Sequence, residues 1–322
     1  MKISLYTIFF FSKLYKINMN NNIYCGLINH GNTCFFSSAF QNLVRCSVFI
    51  NFIMNLNSNN ELIVILKDVL NDYLKNNNKS ISPLKLIKFY QKINTDYSIG
   101  SQEDAEEVIT LLIGKIDDII KQEIKEGKLN NEILKGSITT QTMIEYLFGI
   151  DIRTETKCSE CNNVNVYNVT EFKIRMSISS KKNLDEIING YSEIEKMEGD
   201  DQYFCNKCNK KVDAFKLDKV MKTPKYLHVQ LKRFEKVRGR LQKIDDLVSI
   251  PIQLKINTKN YDLRGCVYHS GGINGGHYIY YYNRDSQSDF KKWVCLDDSR
   301  ISERNITNEI NKGYVFLYVK QK

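Results

Sequence analysis

One cysteine stands where the chain changes character. Gly26-Leu27-Ile28-Asn29-His30-Gly31-Asn32-Thr33-Cys34-Phe35 is an apolar lead-in, then small and amide residues, then a thiol. From Phe35 to Met54, the residues Phe36, Phe40, Leu43, Val44, Val48 and Phe52 recur at helical spacings, which predicts one long helix. Cys34 then lies at a helix N-terminus, where unpaired backbone N–H groups and the positive end of the dipole favour thiolate over thiol. Asn29, five residues upstream, can turn its amide donor toward an oxyanion forming at the cysteine's target. By themselves these residues fit a nucleophile and a buried, inert thiol equally well.

A thiol nucleophile needs a base, and the chain has 4 histidines. Gly271-Gly272-Ile273-Asn274-Gly275-Gly276-His277-Tyr278-Ile279-Tyr280 predicts a flexible glycine-rich loop that delivers His277 to the start of an aromatic strand. His228, inside the strand-like Tyr226 to Leu231, and His269, at a strand end, read as core histidines; His30 reads as a loop residue beside the thiol. His277 is therefore the expected general base. Trp293-Val294-Cys295-Leu296-Asp297-Asp298-Ser299 follows as a strand ending in two acids, with Asp297 twenty residues beyond His277. A carboxylate there can fix the imidazole tautomer and stabilise its cation, although a plain Asp-Asp turn has the same sequence. Nucleophile, base and orienter in this order make a Cys-His-Asp proposal. The local signature of papain-type enzymes around the cysteine is missing.

A second chemistry is carried by Cys158-x-x-Cys161 and Cys205-x-x-Cys208, with 43 residues between the pairs. Each tight turn aims two thiolates at one metal, and four thiolates close a tetrahedral structural zinc site. Two unrelated pairs, or a redox pair, is the alternative. Nine cysteines, four of them so spaced, argue for a reducing compartment, cytoplasmic or nuclear, over a disulfide framework.

The elements that must hold these groups change period midway. Helical patterns cover Glu61 to Leu74, a segment opened by Ser82-Pro83, and a third helix with Ser101 as its N-cap and acids in its first turn. From Ile150 the period turns toward two. Strands are expected at Ile150 to Lys157, Val164 to Ile178, Tyr226 to Phe234, Val248 to Ile256, Leu263 to His269, His277 to Tyr282, Lys292 to Leu296 and Tyr314 to Val319, with a short helix over Leu184 to Tyr191. Helices first and strands afterwards predict an α+β fold, a helical lobe on an antiparallel sheet. The 322 residues, 42% hydrophobic with only 3 prolines, suit one cooperative unit without a linker. Lys+Arg exceed Asp+Glu by nine (46 against 37), but scattered, which argues against a nucleic-acid partner. The apolar run Ile3 to Phe11 is too short to span a bilayer, and no small-residue cleavage motif follows. Residues 1–18 are expected to be a dispensable extension, and 19–322 a single monomeric catalytic domain: a helical part at about 24–135, a cysteine-bearing part at about 150–225, and a sheet at about 226–322.

Taken together, these pieces resemble the ubiquitin-specific protease family of cysteine deubiquitinases. Gly26 to Phe35 is similar to that family's cysteine box, and Gly276-His277-Tyr278 with Trp293 and Asp297-Asp298 to its histidine box. Gln102-Glu103-Asp104-Ala105-Glu106-Glu107 resembles its acidic helix start. Lys225-Tyr226-Leu227-His228-Val229-Gln230-Leu231-Lys232-Arg233-Phe234 resembles its leucine-lysine-arginine-phenylalanine strand. The resemblance runs from about Tyr24 to the C-terminus. It implies a papain-like core shaped as a hand, with a thumb, a palm and zinc-tipped fingers held by Cys158, Cys161, Cys205 and Cys208. It implies ubiquitin and ubiquitinated proteins as partners. Cys34 would attack the carbonyl after ubiquitin's C-terminal glycine, with His277, Asp297 and Asn29 in the roles given above. Substrate contacts are implied for Gln102, Asp104, Glu107, Phe234, Gly276 and Tyr278, with Asp104 and Glu107 facing the arginine-bearing tail. The pattern departs at His30, where an apolar residue or Gln is usual, at Phe35-Phe36-Ser37-Ser38, and at Glu106; a buried His30 would give the thiol a pH dependence of its own. Rival readings are a catalytically impaired ubiquitin-binding module, the same chemistry on a ubiquitin-like modifier, and a secreted cysteine protease.

Overall fold

Apolar residues at three- and four-residue spacing make the first part of the chain helical. The computed structural model of the protein describes residues 23–129, 142–178, 183–237, 240–273, 275–284 and 289–321. The expected N-terminal extension lies outside the described residues. Strand β1 (Gly26–Leu27) leads into α1 (Cys34–Val44), then α2 (Ser47–Asn55), α3 (Glu61–Lys75), β2 (Ser80–Ile81), α4 (Leu84–Ile93), α5 (Ala105–Lys125) and α6 (Met143–Phe148).

The single helix expected over Phe35 to Met54 is two. The end of α1 tightens, with Arg45 N–H donating to the Asn42 carbonyl at 3.2 Å and Cys46 N–H to that of Leu43 at 3.0 Å. Cys46, with ψ at 75°, then leaves the helical region. Arg45 is drawn inward at this break, donating to the Ile23 carbonyl at 3.0 Å and lying 4.6 Å from the Tyr282 ring centroid. The apolar spacing runs straight through the break, so periodicity does not register it. The cap of α5 is also displaced from expectation. Asp104, not Ser101, caps it, its Oδ1 accepting the Glu106 N–H at 2.8 Å, while Ser101 Oγ donates to the Ser98 carbonyl at 2.7 Å. Asp caps as well as Ser, and Asp104 is the one next to the apolar stripe. Ser82 Oγ accepts from Leu84 N–H at 3.4 Å, as a capping residue does, and Pro83 stands at the entry to α4.

The second part is built from β3 (Ile150–Cys158), β4 (Val164–Glu171), β5 (Ile174–Ser177), α7 (Leu184–Asn189), β6 (Glu195–Met197), β7 (Tyr203–Cys205), β8 (Lys210–Val212) and β9 (Ala214–Lys222). It continues with β10 (Tyr226–Lys232), β11 (Phe234–Val237), β12 (Arg240–Lys243), β13 (Gln253–Ile256), β14 (Lys259–Gly272), β15 (Gly275–Tyr282), β16 (Trp293–Asp297), β17 (Arg300–Arg304), α8 (Thr307–Asn311) and β18 (Val315–Lys320). The main sheet runs β17-β16-β15-β14-β18-β10-β5, with β13 also on β14; only β5 and β10 pair in parallel. A four-stranded sheet, β4-β3-β9-β6, extends from it toward the four paired cysteines. The strand expected over Val164 to Ile178 is therefore split: β4 belongs to the extension and β5 to the main sheet. The strand expected over Val248 to Ile256 shrinks to β13.

One apolar core fills the space between the helices and one face of the main sheet, and a second lies on the other face beneath α7 and α8. At the centre of the first sits α1, buried at all eleven positions. Two of its polar side chains reach across the core: Gln41 Nε2 donates to the Cys25 carbonyl at 2.7 Å, and Asn42 Oδ1 meets His228 Nε2 of β10 at 2.7 Å. Arg233, from the strand ending in leucine-lysine-arginine-phenylalanine, is buried too. It donates to the carbonyls of Gly313 at 2.7 Å and of Ile244, Asp246 and Asn311 at 2.9 Å, tying β10 and β11 to the approach to β18.

His228 stacks on Phe148 with ring centroids 5.7 Å apart, and burial pushes its pKa down to about 3. Below the ordinary value of about 6.5 the unfolded chain takes a proton that the folded chain refuses, so stability falls as pH drops from there toward 3. Urea unfolding at about pH 7 and about pH 4.5 should show the loss on acidification reduced by about 2 kcal/mol in His228→Gln, which keeps an amide donor for Asn42.

Candidate active site

Cys34 is the first residue of α1, and the loop before it is shaped by Asn29 and Thr33. Asn29 Oδ1 accepts from Gly31 N–H at 2.9 Å and from Thr33 N–H at 3.1 Å, while Thr33 Oγ1 accepts from His30 N–H at 2.9 Å. These bonds close a tight turn in which Gly31 and Asn32 take φ of 93° and 53°, conformations suited to Gly and Asn. The turn hands the chain to the helix with the thiol pointing into the protein: Cys34 is only 4% exposed. The amides of Cys34 and Phe35 favour its thiolate, as a helix N-terminus should, and so does the N–H of Tyr278. Burial outweighs them and, with the Asp298 charge, holds the thiol above its ordinary range. The sequence expectation of a net thiolate preference is thus corrected by desolvation.

His277 reaches this place from β15. Before it, Gly271 pairs with Gly276 and Gly272 with Gly275, so these glycines extend the β14–β15 ladder. Lys243 Nζ ties the hairpin down through the carbonyls of His269 at 3.0 Å and Gly271 at 2.7 Å. Gly276 has no room for a side chain; a Cβ would lie 2.2 Å from the Ser270 carbonyl oxygen and 2.3 Å from His269 Nε2. The next strand, β16, pairs Leu296 with Tyr280 and brings Asp297 to the imidazole. His277 Nε2 meets Asp297 Oδ1 at 2.6 Å, which leaves Nδ1 for other work. The neighbouring Asp298, with φ of 50°, accepts from Asn29 Nδ2 on Oδ2 at 2.8 Å. The same turn holds β1 in place: Asp298 O accepts Leu27 N–H at 2.8 Å, and a Cβ on Gly26 would lie 2.6 Å from Ser299 O.

The remaining expected site residues divide between the cleft wall and the scaffold. Gln102 bonds the Gly276 backbone at both ends of its amide, each at 3.2 Å. Asp104 spends Oδ1 on its helix cap and Oδ2 on Tyr314 OH at 2.5 Å, and burial raises its pKa. Glu107, one turn on, is exposed. Phe234 lies edge-on to His269 and to Tyr314, each at 5.4 Å, and Tyr278 packs against His269 at 4.6 Å. His269 is buried and burial drives its pKa down to about 4, so it stays neutral. His30 is half-buried, with its Nε2 on Ser82 Oγ at 2.7 Å. Phe35 and Phe36 are absorbed by packing against Tyr90 and Tyr97, at 5.5 Å for Phe35 on Tyr97 and 5.8 Å for Phe36 on Tyr90. Asp298 is the residue to which sequence reasoning gave no role; the doubled acid was the signal, and only the fold tells its two members apart.

The two cysteine pairs meet at the end of the extension. All four Sγ atoms lie within 4.8 Å of one another, with Cys158 Sγ to Cys208 Sγ at 3.8 Å and Cys161 Sγ to Cys205 Sγ at 3.6 Å. Thiolates about 2.3 Å from a tetrahedral ion have edges of about 3.8 Å, so these residues fit such a metal. A disulfide would need about 2.05 Å.

Comparison with known proteins agrees with this arrangement. The family model described as "Ubiquitin carboxyl-terminal hydrolase" matches residues 25–318. Ubiquitin carboxyl-terminal hydrolase 12 of Salmo salar is 28% identical over 339 residues, covering 92% of this chain and 90% of that protein. Ubiquitin carboxyl-terminal hydrolase 4 of Arabidopsis thaliana is 24% identical, covering 92% and 93%. Among solved structures, the SAGA DUB module Ubp8/Sgf11/Sus1/Sgf73 bound to monoubiquitin matches with a TM-score of 0.73 at 24% identity, over 99% of this chain and 74% of that one. The same module bound to ubiquitin aldehyde matches with a TM-score of 0.72, over 97% and 72%. The likeness covers helices, main sheet and extension together: a thumb, a palm and fingers ending in the cysteine cluster.

The raised thiol pKa sets a reactivity profile. Alkylation of Cys34 by iodoacetamide, read by mass spectrometry against Cys34→Ala, should still be climbing above about pH 8.5, where an ordinary thiol reaches half its limit. A plateau reached below about pH 7 would mean that burial does not dominate.

Proposed function

Because the chain belongs to the ubiquitin carboxyl-terminal hydrolase family and is a cysteine-type deubiquitinase, we propose that Cys34, His277, Asp297 and Asn29 carry its reaction on ubiquitin conjugates. The observation that carries this reading is the convergence of three elements: Cys34 opens α1, Asn29 of the loop before it donates to Asp298 at 2.8 Å, and the neighbouring Asp297 of β16 is bonded to His277 of β15 at 2.6 Å. With Nε2 held by Asp297, Nδ1 of His277 takes the thiol proton as Cys34 attacks the carbonyl after ubiquitin's C-terminal glycine. Asp297 fixes the tautomer and stabilises the imidazolium. Asn29 has one amide hydrogen on Asp298, and the other is available to the oxyanion; such a donor is worth roughly 10²–10³ in turnover. Asp298 positions Asn29, and burial of its carboxyl makes that bond strong. His277 then protonates the leaving amine. Water, deprotonated by the same imidazole, hydrolyses the thioester and frees the glycine carboxylate and the thiol.

In this reading the tail of ubiquitin lies between the thumb and the hairpin of His277, against Gln102, Gly276, Tyr278 and Phe234. Glu107, exposed in the first turn of α5, faces the tail arginine, while Asp104 keeps that turn in place. Residues 19–322 act as one catalytic domain. A reduced nucleophile and four reduced cysteines fit work in the cytoplasm or nucleus.

Two experiments test these assignments. Ubiquitin carrying a C-terminal electrophile should form a covalent adduct with the wild-type protein and none with Cys34→Ala. No wild-type adduct would reject the substrate, and labelling that persists in Cys34→Ala would reject the nucleophile; probes built on ubiquitin-like modifiers check the modifier. Separately, we assign Cys158, Cys161, Cys205 and Cys208 to one structural zinc ion, which when bound cross-links the tip of the fingers. Elemental analysis should find about one zinc per chain, falling by at least half in Cys161→Ser. A full complement of intact cysteines without zinc would refute the site.

A further inference from the structure

A chain of hydrogen bonds surrounds the buried thiol. Asn32, in the loop before Cys34, donates from Nδ2 to the Gly100 carbonyl at 2.7 Å. Two residues on, Gln102 grips the histidine hairpin at two points: Nε2 donates to the Gly276 carbonyl and Oε1 accepts the Gly276 N–H, each at 3.2 Å. The hairpin returns to the cysteine loop through His277, bonded to Asp297 at 2.6 Å, and the adjacent Asp298, which accepts from Asn29 at 2.8 Å. Cysteine loop, thumb segment and hairpin thus form a ring. Its outer members Asn32, Gly100 and Gln102 are exposed, whereas Cys34 is only 4% exposed.

A closed ring treats substrates unequally. A tail whose leaving group is one small aromatic amine can pass through end-on. A tail joined to a folded protein at both ends cannot be threaded; it must be laid in from the side, through a link that opens. The Gln102 pair is the link suited to open. Its bonds are the longer ones, it joins neutral groups, and it faces water, which can replace both partners. Gln102 is also far from Asp297 and Asn29 in role, since both polar ends of its side chain are spent on Gly276.

We infer that Gln102 determines specificity at this site: its pairing with Gly276 bars lateral entry and must part for conjugates that carry a folded protein on both sides of the scissile bond. The inference rests on the proposed cleavage of ubiquitin tails by Cys34. Its test compares two substrates with the same tail, ubiquitin ending in an aminocoumarin amide and a fixed mixture of lysine-linked diubiquitins. The full-length chain is assayed as wild type, Gln102→Ala and Gln102→Asn, each checked for folding by thermal melting. The readout is the ratio of kcat/KM for diubiquitin to that for the coumarin amide, whatever happens to the absolute rates. Removing the bridge (Ala), or shortening it by one methylene (Asn), should raise that ratio at least threefold. An unchanged or lower ratio in the folded variants overturns the inference and leaves the proposed function standing. If the wild type cleaves neither substrate, the proposed function fails and the inference goes with it. Should Gln102→Ala not fold, Gln102→Asn decides alone.

Discussion

Everything at the cleft depends on one helix being out of water along its whole length. α1 is buried at all eleven positions, so its apolar residues cannot merely face a core; they form its middle. Polar side chains on such a helix are best answered from neighbouring elements, because an orphaned donor or acceptor there costs about 1–3 kcal/mol. Gln41 is answered by the Cys25 carbonyl of the lead-in and by Tyr73 of α3, and Asn42 by His228 of β10. These bonds fix the helix in rotation and along its axis. Cys34, at its first residue, therefore sits at a defined depth beside β15.

The Arg45 side chain at the far end of α1 serves the same purpose by a different force. A half-buried guanidinium gains from acceptors and aromatic faces, and here it has both. Its nitrogens reach the Ile23 carbonyl and Tyr73 OH, and its plane lies over the rings of Tyr24, Tyr73 and Tyr282 at 5.9, 5.7 and 4.6 Å. Tyr282 ends β15, the strand that begins with the histidine segment, so Arg45 pins the end of α1 to the end of β15. The fingers are held differently. Their cysteine cluster forms a small core with Val212 and Tyr203, far too little apolar area to support a lobe alone. Cross-linking through a metal is the expected remedy.

The raised pKa of the Cys34 thiol follows from the same burial. The helix N-terminus favours the thiolate through two amides, but depth sets the sign, and burial holds the thiol above its ordinary range. The two acids at the end of β16 then share the remaining tasks according to their backbone. Asp297, still in the strand, faces the imidazole; Asp298, turned to a φ of 50°, faces Asn29. One residue of register separates a partner of the imidazole from a partner of the amide.

The order of the chemical groups, the cysteine pairs and the change from helical to strand period belong to the sequence, because each is a matter of residue type and local spacing. The identity of the capping residue, the break at Arg45 and the division of Val164 to Ile178 between two sheets did not, since apolar periodicity continues unchanged across all three. Sequence alone therefore determined which side chains could act, and in what order along the chain. Only the tertiary structure decided how they act: that Cys34 is buried enough to keep its proton, that Asp104 is consumed by a helix cap and a tyrosine, that Gln102 spans the cleft, and that the two acids face different partners. Those outcomes are set by desolvation and by contacts between residues up to 269 positions apart, as between Asn29 and Asp298, and no local pattern encodes either.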